Sequence, residues 1–250
     1  MAEIPNVRLS LPGSAENVLV VRQALTGVAA SVTLDAIECN DVNTAVSEAC
    51  NNVVMHAYDG SEGPLEVDVF ARRGAIAVVV RDHGRGMRPR ELEPDEAHTG
   101  MGIPVIQALT RRAEFTHLAG GGTEVRMEFD TPKARSLDPI DGDDDPAVVR
   151  MQAPVEGTVE LQLAPNAIAR SVLPRVLSAL AARAYFSTDR IADVQLAADE
   201  LTAGAHGSIS GARLDVGVKV APRNLQLRVG PLRTGGTLAM SLLDERADDR

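Results

Sequence analysis

Residues 47–58 read SEACNNVVMHAY, and further along the chain come DHGRGM at 82–87 and TGMGI at 99–103. On a helix, Glu48, Asn52 and His56 fall at i, i+4 and i+8 and form one polar stripe. A carboxylate, a carboxamide and an imidazole on a single face can build a site. The two glycine strings supply backbone that approaches closely and turns sharply, as a phosphate requires. Together they point to an ATP site without a phosphate-gripping lysine. Lys133 and Lys219 are the only lysines in the chain, and neither follows a glycine string as in a P-loop or stands in the strand motif of a eukaryotic-type kinase.

Such residues act only if regular elements hold them. On the opposite face of the same helix, Val42, Ala45, Val46, Ala49 and Val53 recur at helical spacing and seek a core. The alternation Val7–Leu11 reads as a strand and Ala15–Ala30 as a helix. Leu65–Ala71 and Ala75–Val80 read as antiparallel strands around a turn at Arg73-Gly74, with Asp82 just past the apolar run Ile76–Val80. A helix is expected over Ile103–Ala113, with Pro104 in its first turn, where a missing N–H costs little. Thr123–Asp130 reads as the last strand. Mixed strands with helices gathered on one face predict an α+β fold, a two-layer α/β sandwich, rather than a run of βαβ units.

The same order of signals occurs again. Val159–Leu163 alternates like Val7–Leu11, and a helix over Ala167–Ala182 is followed by one carrying Glu200. The spacing is constant (159 − 7 and 200 − 48, both 152). Leu214–Val220 and Leu225–Val229 then flank Pro222-Arg223-Asn224. We therefore expect a tandem duplication: residues 1–131, a connector over 132–154, and residues 155–250. The connector holds Asp138, Asp141, Asp143, Asp144, Asp145, Pro139 and Pro146, which reads as an exposed linker. A calcium loop would need glycine where Pro146 stands and glutamate where Gln152 stands.

Composition narrows the class. The chain has 250 residues, 44% hydrophobic but 2% aromatic and without tryptophan, so its core must be aliphatic. No apolar run reaches the length of a membrane span, and Met1–Ser10 lacks the pattern of a signal peptide, so a cytoplasmic protein is expected. Cys39 and Cys50 form no metal or disulfide pattern. The net charge of −10 belongs to the first half and the connector: residues 1–131 hold 11 basic and 19 acidic groups, whereas 155–250 hold 11 of each. That balance argues against direct nucleic-acid binding and suits a basic protein partner.

Residues 1–131 resemble the GHKL ATPase fold, and within it the anti-sigma factor serine kinases, including the sporulation type. Glu48, Asn52 and His56-Ala57-Tyr58 match the N box of that family. Asp82-His83-Gly84-Arg85-Gly86-Met87 match its first glycine box, Thr99-Gly100-Met101-Gly102-Ile103 its second, and Gly122-Thr123 the pair that opens its last strand. The resemblance implies that Asp82 accepts a hydrogen bond from the adenine amino group, with Thr123 making a water-linked contact to the same base. It implies Gly84, Gly86 and Met87 beneath the nucleotide, Thr99, Gly100, Met101, Gly102 and Ile103 leading into a helix whose free N–H groups face phosphate, and His56 beside them. It further implies Asn52 as an oxygen ligand to Mg2+ and Glu48 as the base for the attacking hydroxyl. The segment between Gly86 and Gly100 is shorter than in the sporulation kinases and carries Pro89 and Pro94, which puts lid closure in question. Histidine kinases share the site but require a phosphoacceptor helix pair ahead of it, where this sequence places a single strand.

The second half keeps the pattern and loses the site residues. Aligned on Glu200, Asn52 becomes Gly204 and His56 becomes Ser208; aligned on the strand pair, Asp82 becomes Pro231. The expectation is a copy that binds no Mg·ATP and replaces the partner subunit of the homodimers formed in this family, an intramolecular pseudo-dimer. The implied activity is phosphorylation of an anti-sigma-factor antagonist, with sequestration of a sigma factor. The alternatives are a related switch kinase of a stress signalling assembly and a module that binds ATP with little or no transfer.

Overall fold

A computed structural model describes residues 3–85, 102–132, 158–164, 167–209 and 213–231. In chain order the elements are β1 (Val7–Pro12), α1 (Ala15–Val32), α2 (Ala36–His56), β2 (Pro64–Arg72), β3 (Ala75–Asp82), α3 (Gly102–Leu109), β4 (Arg112–His117), β5 (Thr123–Asp130), β6 (Thr158–Leu163), α4 (Ala167–Arg183), α5 (Thr188–Ser208), β7 (Leu214–Ala221) and β8 (Asn224–Gly230). The strands form one sheet in the order β4-β5-β3-β2-β1-β6-β7-β8. Every pairing in it is antiparallel, and with the helices it makes the α+β fold expected from sequence. The acidic connector lies outside the described residues.

Period-two alternation decides which face is covered. Val7, Leu9 and Leu11 of β1, Leu65, Val67 and Val69 of β2, Ile76, Val78 and Val80 of β3, and Val159, Leu161 and Leu163 of β6 all point to the helical layer and are 2% exposed or less. They join the inward residues of α1, α2, α4 and α5 in one aliphatic cluster that draws on both halves of the chain. Each fully buried Leu, Ile or Val adds about 1.5–3 kcal/mol of transfer free energy, which is how a core without tryptophan is assembled. On the other face, Asp68 is 1% exposed and receives Arg8 Nε at 2.6 Å and Arg81 Nη1 at 2.6 Å, while Arg81 Nε reaches Glu124 at 2.6 Å. The ladder ties β1, β2, β3 and β5 together.

Helix α2, which carries the polar stripe, starts at a capping box. Asp35 Oδ1 accepts from the N–H groups of Ile37 and Glu38 at 3.0 and 2.9 Å, and Glu38 Oε2 accepts from Asp35 N at 2.9 Å. Losing such a cap costs about 1 kcal/mol. The preceding helix α1 ends at Thr33, whose left-handed backbone (φ 60°) returns its N–H to Ala29 O.

The order strand, helix, helix, strand, strand occurs twice, as β1-α1-α2-β2-β3 and β6-α4-α5-β7-β8. Strands β1 and β6 pair with Leu9 opposite Leu161, and Val7 opposite Leu163. Leu9 and Leu161 hold matching places in the two strands (161 − 9 is again 152), so the register is centred on equivalent residues. Helices α1 and α4 run alongside each other above this seam. They approach so closely at Gly27 that a Cβ there would lie 2.6 Å from Ser171 O and 2.7 Å from Val172 Cα. Only a residue without a side chain fits.

One element differs from expectation. The helix read over Ile103–Ala113 stops at Leu109, and Arg112–His117 is a strand, β4, at the edge of the sheet beside β5.

Candidate functional site

The site lies where α2, the end of β3, the start of β5 and the N-terminus of α3 converge. Glu48 and Asn52 sit one turn apart on α2, each half-buried, and both face the first residue of α3. A Cβ at Gly102 would lie 3.2 Å from Glu48 Oε2 and 3.3 Å from Asn52 Oδ1. The glycine thus brings a helix N-terminus up to a carboxylate and a carboxamide. The unpaired N–H groups there carry partial positive charge and suit an anion. His56, in the last turn of α2, is exposed.

Asp82 is 4% exposed, and its carboxylate is held from two directions. Oδ1 accepts from Gly84 N at 2.9 Å and Oδ2 from Thr123 N at 3.1 Å. Each oxygen retains a second lone pair, so the group can still accept from a ligand. Thr123 is itself buried, at the first position of β5. Gly84 and Gly122 make this convergence possible. A Cβ on Gly84 would collide with Ala57 O and one on Gly122 with Asp82 O, and Gly122 also has φ 94°. Arg85 N donates to Ala57 O at 3.1 Å, which anchors the strand exit to the end of α2.

Tyr58 completes this anchor, and the sequence reading gave it no role of its own. Its hydroxyl donates to Pro64 O at 2.5 Å and accepts from His83 N at 2.9 Å, clamping the residue after Asp82. Burial raises the phenol above its ordinary value, opposed by the hydrogen bond from His83 and reinforced by the charges of Asp82 and Glu66. The available signal was composition: the chain has two tyrosines, and one follows the polar stripe directly. Cys50, fully buried on the core side of α2, is pushed up to about 12 by desolvation, which makes it a packing residue. His83 Nε2 lies 3.1 Å from Glu66 Oε1 on the surface.

Two groups result, both adjoining α2: Glu48, Asn52 and Gly102, and, at the end of the helix by Ala57, Asp82, Gly84 and Thr123; His56 is exposed in the last turn of α2 and Ile103 lies in the first turn of α3. Gly86, Met87, Thr99, Gly100 and Met101 lie outside the described residues. No group of three or more His, Cys, Asp or Glu side chains suited to a metal ion occurs among the described residues. The amide oxygen of Asn52 instead fits a hard cation that keeps water and phosphate oxygens as its remaining ligands, as Mg2+ does.

In the second half the corresponding strand end is different. Leu65 faces Asp82 across β2 and β3, and β7 and β8 run in the same way, with Asp215 opposite Gly230. One step on, the place of Asp82 falls to Pro231, which has neither carboxylate nor N–H. On α5 the place of Asn52 falls to Gly204.

Comparison with known proteins agrees with this architecture. The profile of the histidine kinase-like ATPase domain matches residues 11–129. The anti-sigma F factor of Caldanaerobacter subterraneus is 30% identical over 129 residues, covering 48% of this chain and 90% of that protein. The serine-protein kinase RsbW of Bacillus pumilus is 30% identical over 136 residues, 48% of this chain and 83% of that protein. Among solved structures, the RsbU and RsbW domains of Rv1364c from Mycobacterium tuberculosis overlay 54% of this chain and 34% of that one, at 24% identity and a TM-score of 0.39. The chain belongs to the histidine kinase-like ATPases. Within them it groups with the anti-sigma F factors and the RsbW serine-protein kinases.

Proposed function

We propose that this protein binds Mg·ATP and phosphorylates a serine or threonine of a protein substrate, as an anti-sigma-factor-type kinase. The observation that carries this reading is the convergence of Glu48 and Asn52 on the N-terminus of α3, beside the doubly anchored carboxylate of Asp82. Asp82 would accept from the adenine amino group, with Thr123 beside the base. Gly84 and the segment Gly86-Met87 would run beneath the nucleotide, and the segment Thr99 to Ile103 would present free N–H groups to its phosphates, with His56 at the rim. Asn52 would hold the cation through its amide oxygen. Bound Mg·ATP would supply the γ-phosphoryl group and the positive charge that spreads over it in transfer. Glu48, one turn away, would take the proton of the incoming hydroxyl.

The relatives' names, anti-sigma F factor and serine-protein kinase, support a sigma factor and a serine-bearing protein substrate as partners, and we read that substrate as an anti-sigma-factor antagonist. Such partners would place it in the cytoplasm; among the described residues no helix is long and apolar enough to cross a membrane. We read the chain as residues 1–131, a connector over 132–154, and a second copy over 155–250 that stands in for a partner subunit. The β1–β6 register centred on Leu9 and Leu161 supports the last point. Tethering favours the pairing by raising effective concentration, without requiring any new contact.

The test is labelled ATP with a candidate antagonist. Wild type is expected to label the antagonist, and Glu48→Ala to lower the rate by at least about 100-fold while ATP still binds. Equal labelling by the two proteins would sink the assignment of Glu48. ATP binding with no labelled product from wild type would leave a regulatory module that uses ATP as a ligand.

A further inference from the structure

The halves meet around a symmetric register, yet the two side-chain hydrogen bonds described between them are one-sided. Arg183, the last residue of α4, donates from Nη1 to Asn17 Oδ1 at 2.6 Å, with its Nε 3.5 Å from Glu16. Asn17 is 1% exposed, and its Nδ2 is already committed to Pro12 O at 2.7 Å. Arg213, 7% exposed, donates from Nη2 to Pro5 O. Both donors thus come from the second half, and both acceptors from the first.

Neither arginine has a counterpart across the register centre. The place of Arg183 in α1 is Ser31 (183 − 152), and the place of Asn17 in α4 is Ala169 (17 + 152). Arg213 precedes β7 where Pro64 begins β2. Were β1 and α1 to pair with a second copy of themselves, Ser31 would stand where Arg183 stands. The buried oxygen of Asn17 would then lack its charged donor. Two copies of α4 and β6 brought together would set Arg183 against the methyl group of Ala169. Each symmetric pairing leaves Asn17 or Arg183 without this partner, and the pairing within one chain joins the two.

We propose that the β1–α1 surface is built to accept residues 158–231 of its own chain in preference to a second copy, and that Arg183 on Asn17 makes that choice. The proposal rests on the reading of the second half as a replacement for a partner subunit. It adds the specificity that keeps such a fused pair closed. A charge-assisted hydrogen bond to a buried acceptor is worth enough to bias the two pairings by about tenfold to a hundredfold.

The experiment uses the full chain, followed by light scattering over a range of concentrations and by urea unfolding. Wild type is expected to have the mass of one chain throughout. Arg183→Ser, which installs the residue found at position 31, is expected to lower the urea midpoint and to raise the mass toward two chains as concentration rises. Should that variant not fold, Arg183→Gln, which keeps an amide donor, is judged by the same two measurements. The pair is then moved to the related positions by adding Ser31→Arg and Ala169→Asn to Asn17→Ala/Arg183→Ser. Recovery of the single-chain mass supports both the preference and the symmetric reading. Without recovery, but with the effect of Arg183→Ser intact, the preference stands and the symmetric reading under Proposed function fails. A wild type that already has the mass of two chains, or an Arg183→Ser protein indistinguishable from wild type in mass and midpoint, overturns the proposal.

Discussion

Asp215 shows what a single misplaced charge does to this sheet. It lies on the helix-free face opposite Gln162, and its Oδ1 has no hydrogen-bond partner among the described residues. Desolvation raises its carboxyl above the ordinary value of 3.8, opposed by Arg213 and by a hydrogen bond from Gln162. A raised folded value means that the folded state holds the proton more tightly. The penalty is therefore absent well below pH 3.8, grows as pH climbs through that value, and is complete once the folded carboxyl has ionised. Asp215→Asn is expected to raise the urea midpoint at pH 7 and to leave it unchanged near pH 3; a gain that persists at pH 3 would assign the effect to packing. The residues of the site differ in how far they could be read in advance. Glu48, Asn52 and His56 were legible because helical spacing alone puts them on one face. The grip on Asp82 was not, since one of its donors, Thr123 N, is 41 positions away and is delivered by the β3–β5 pairing. Nor could the approach of Gly102 to Glu48 be read before the packing of α3 on α2 was known.

At the scale of elements, the strand exit after Asp82 is held by Tyr58 rather than by its own sequence. Tyr58→Phe removes the hydrogen bond to Pro64 O and the acceptor for His83 N, a loss of about 1–3 kcal/mol. Thermal or urea unfolding should show that loss, and ATP affinity should fall with it because Gly84 and Arg85 follow directly. Unchanged affinity would mean that the clamp serves stability alone. Strand β4 explains why one element was missed. Its sequence RAEFTH alternates, but it is six residues long, lies at the sheet edge and follows α3 across only Thr110 and Arg111, without a glycine or proline to mark the break. The apolar run of α3 therefore reads on into it. The two helix–helix–strand–strand blocks were legible because each strand pair is bounded by turn residues, Arg73-Gly74 and Pro222-Arg223-Asn224, that punctuate the pattern.

For the whole molecule, the two strand ends that match in position differ in chemistry, Asp82 in one and Pro231 in the other. Isothermal titration is expected to find one nucleotide per chain; two equivalent sites would contradict the proposed lack of nucleotide binding in the second half. The sheet itself has a further consequence, for the time before the protein is complete. Val7 pairs with Leu163, so β1 waits for this neighbour until roughly 150 more residues have been added. At about 5–20 residues per second, that leaves a bare strand edge and an apolar helix flank exposed on the ribosome for roughly 8–30 s. A nascent chain in that interval can capture another on the same message, so slow translation through the connector is the condition under which this fold is most exposed to mispairing.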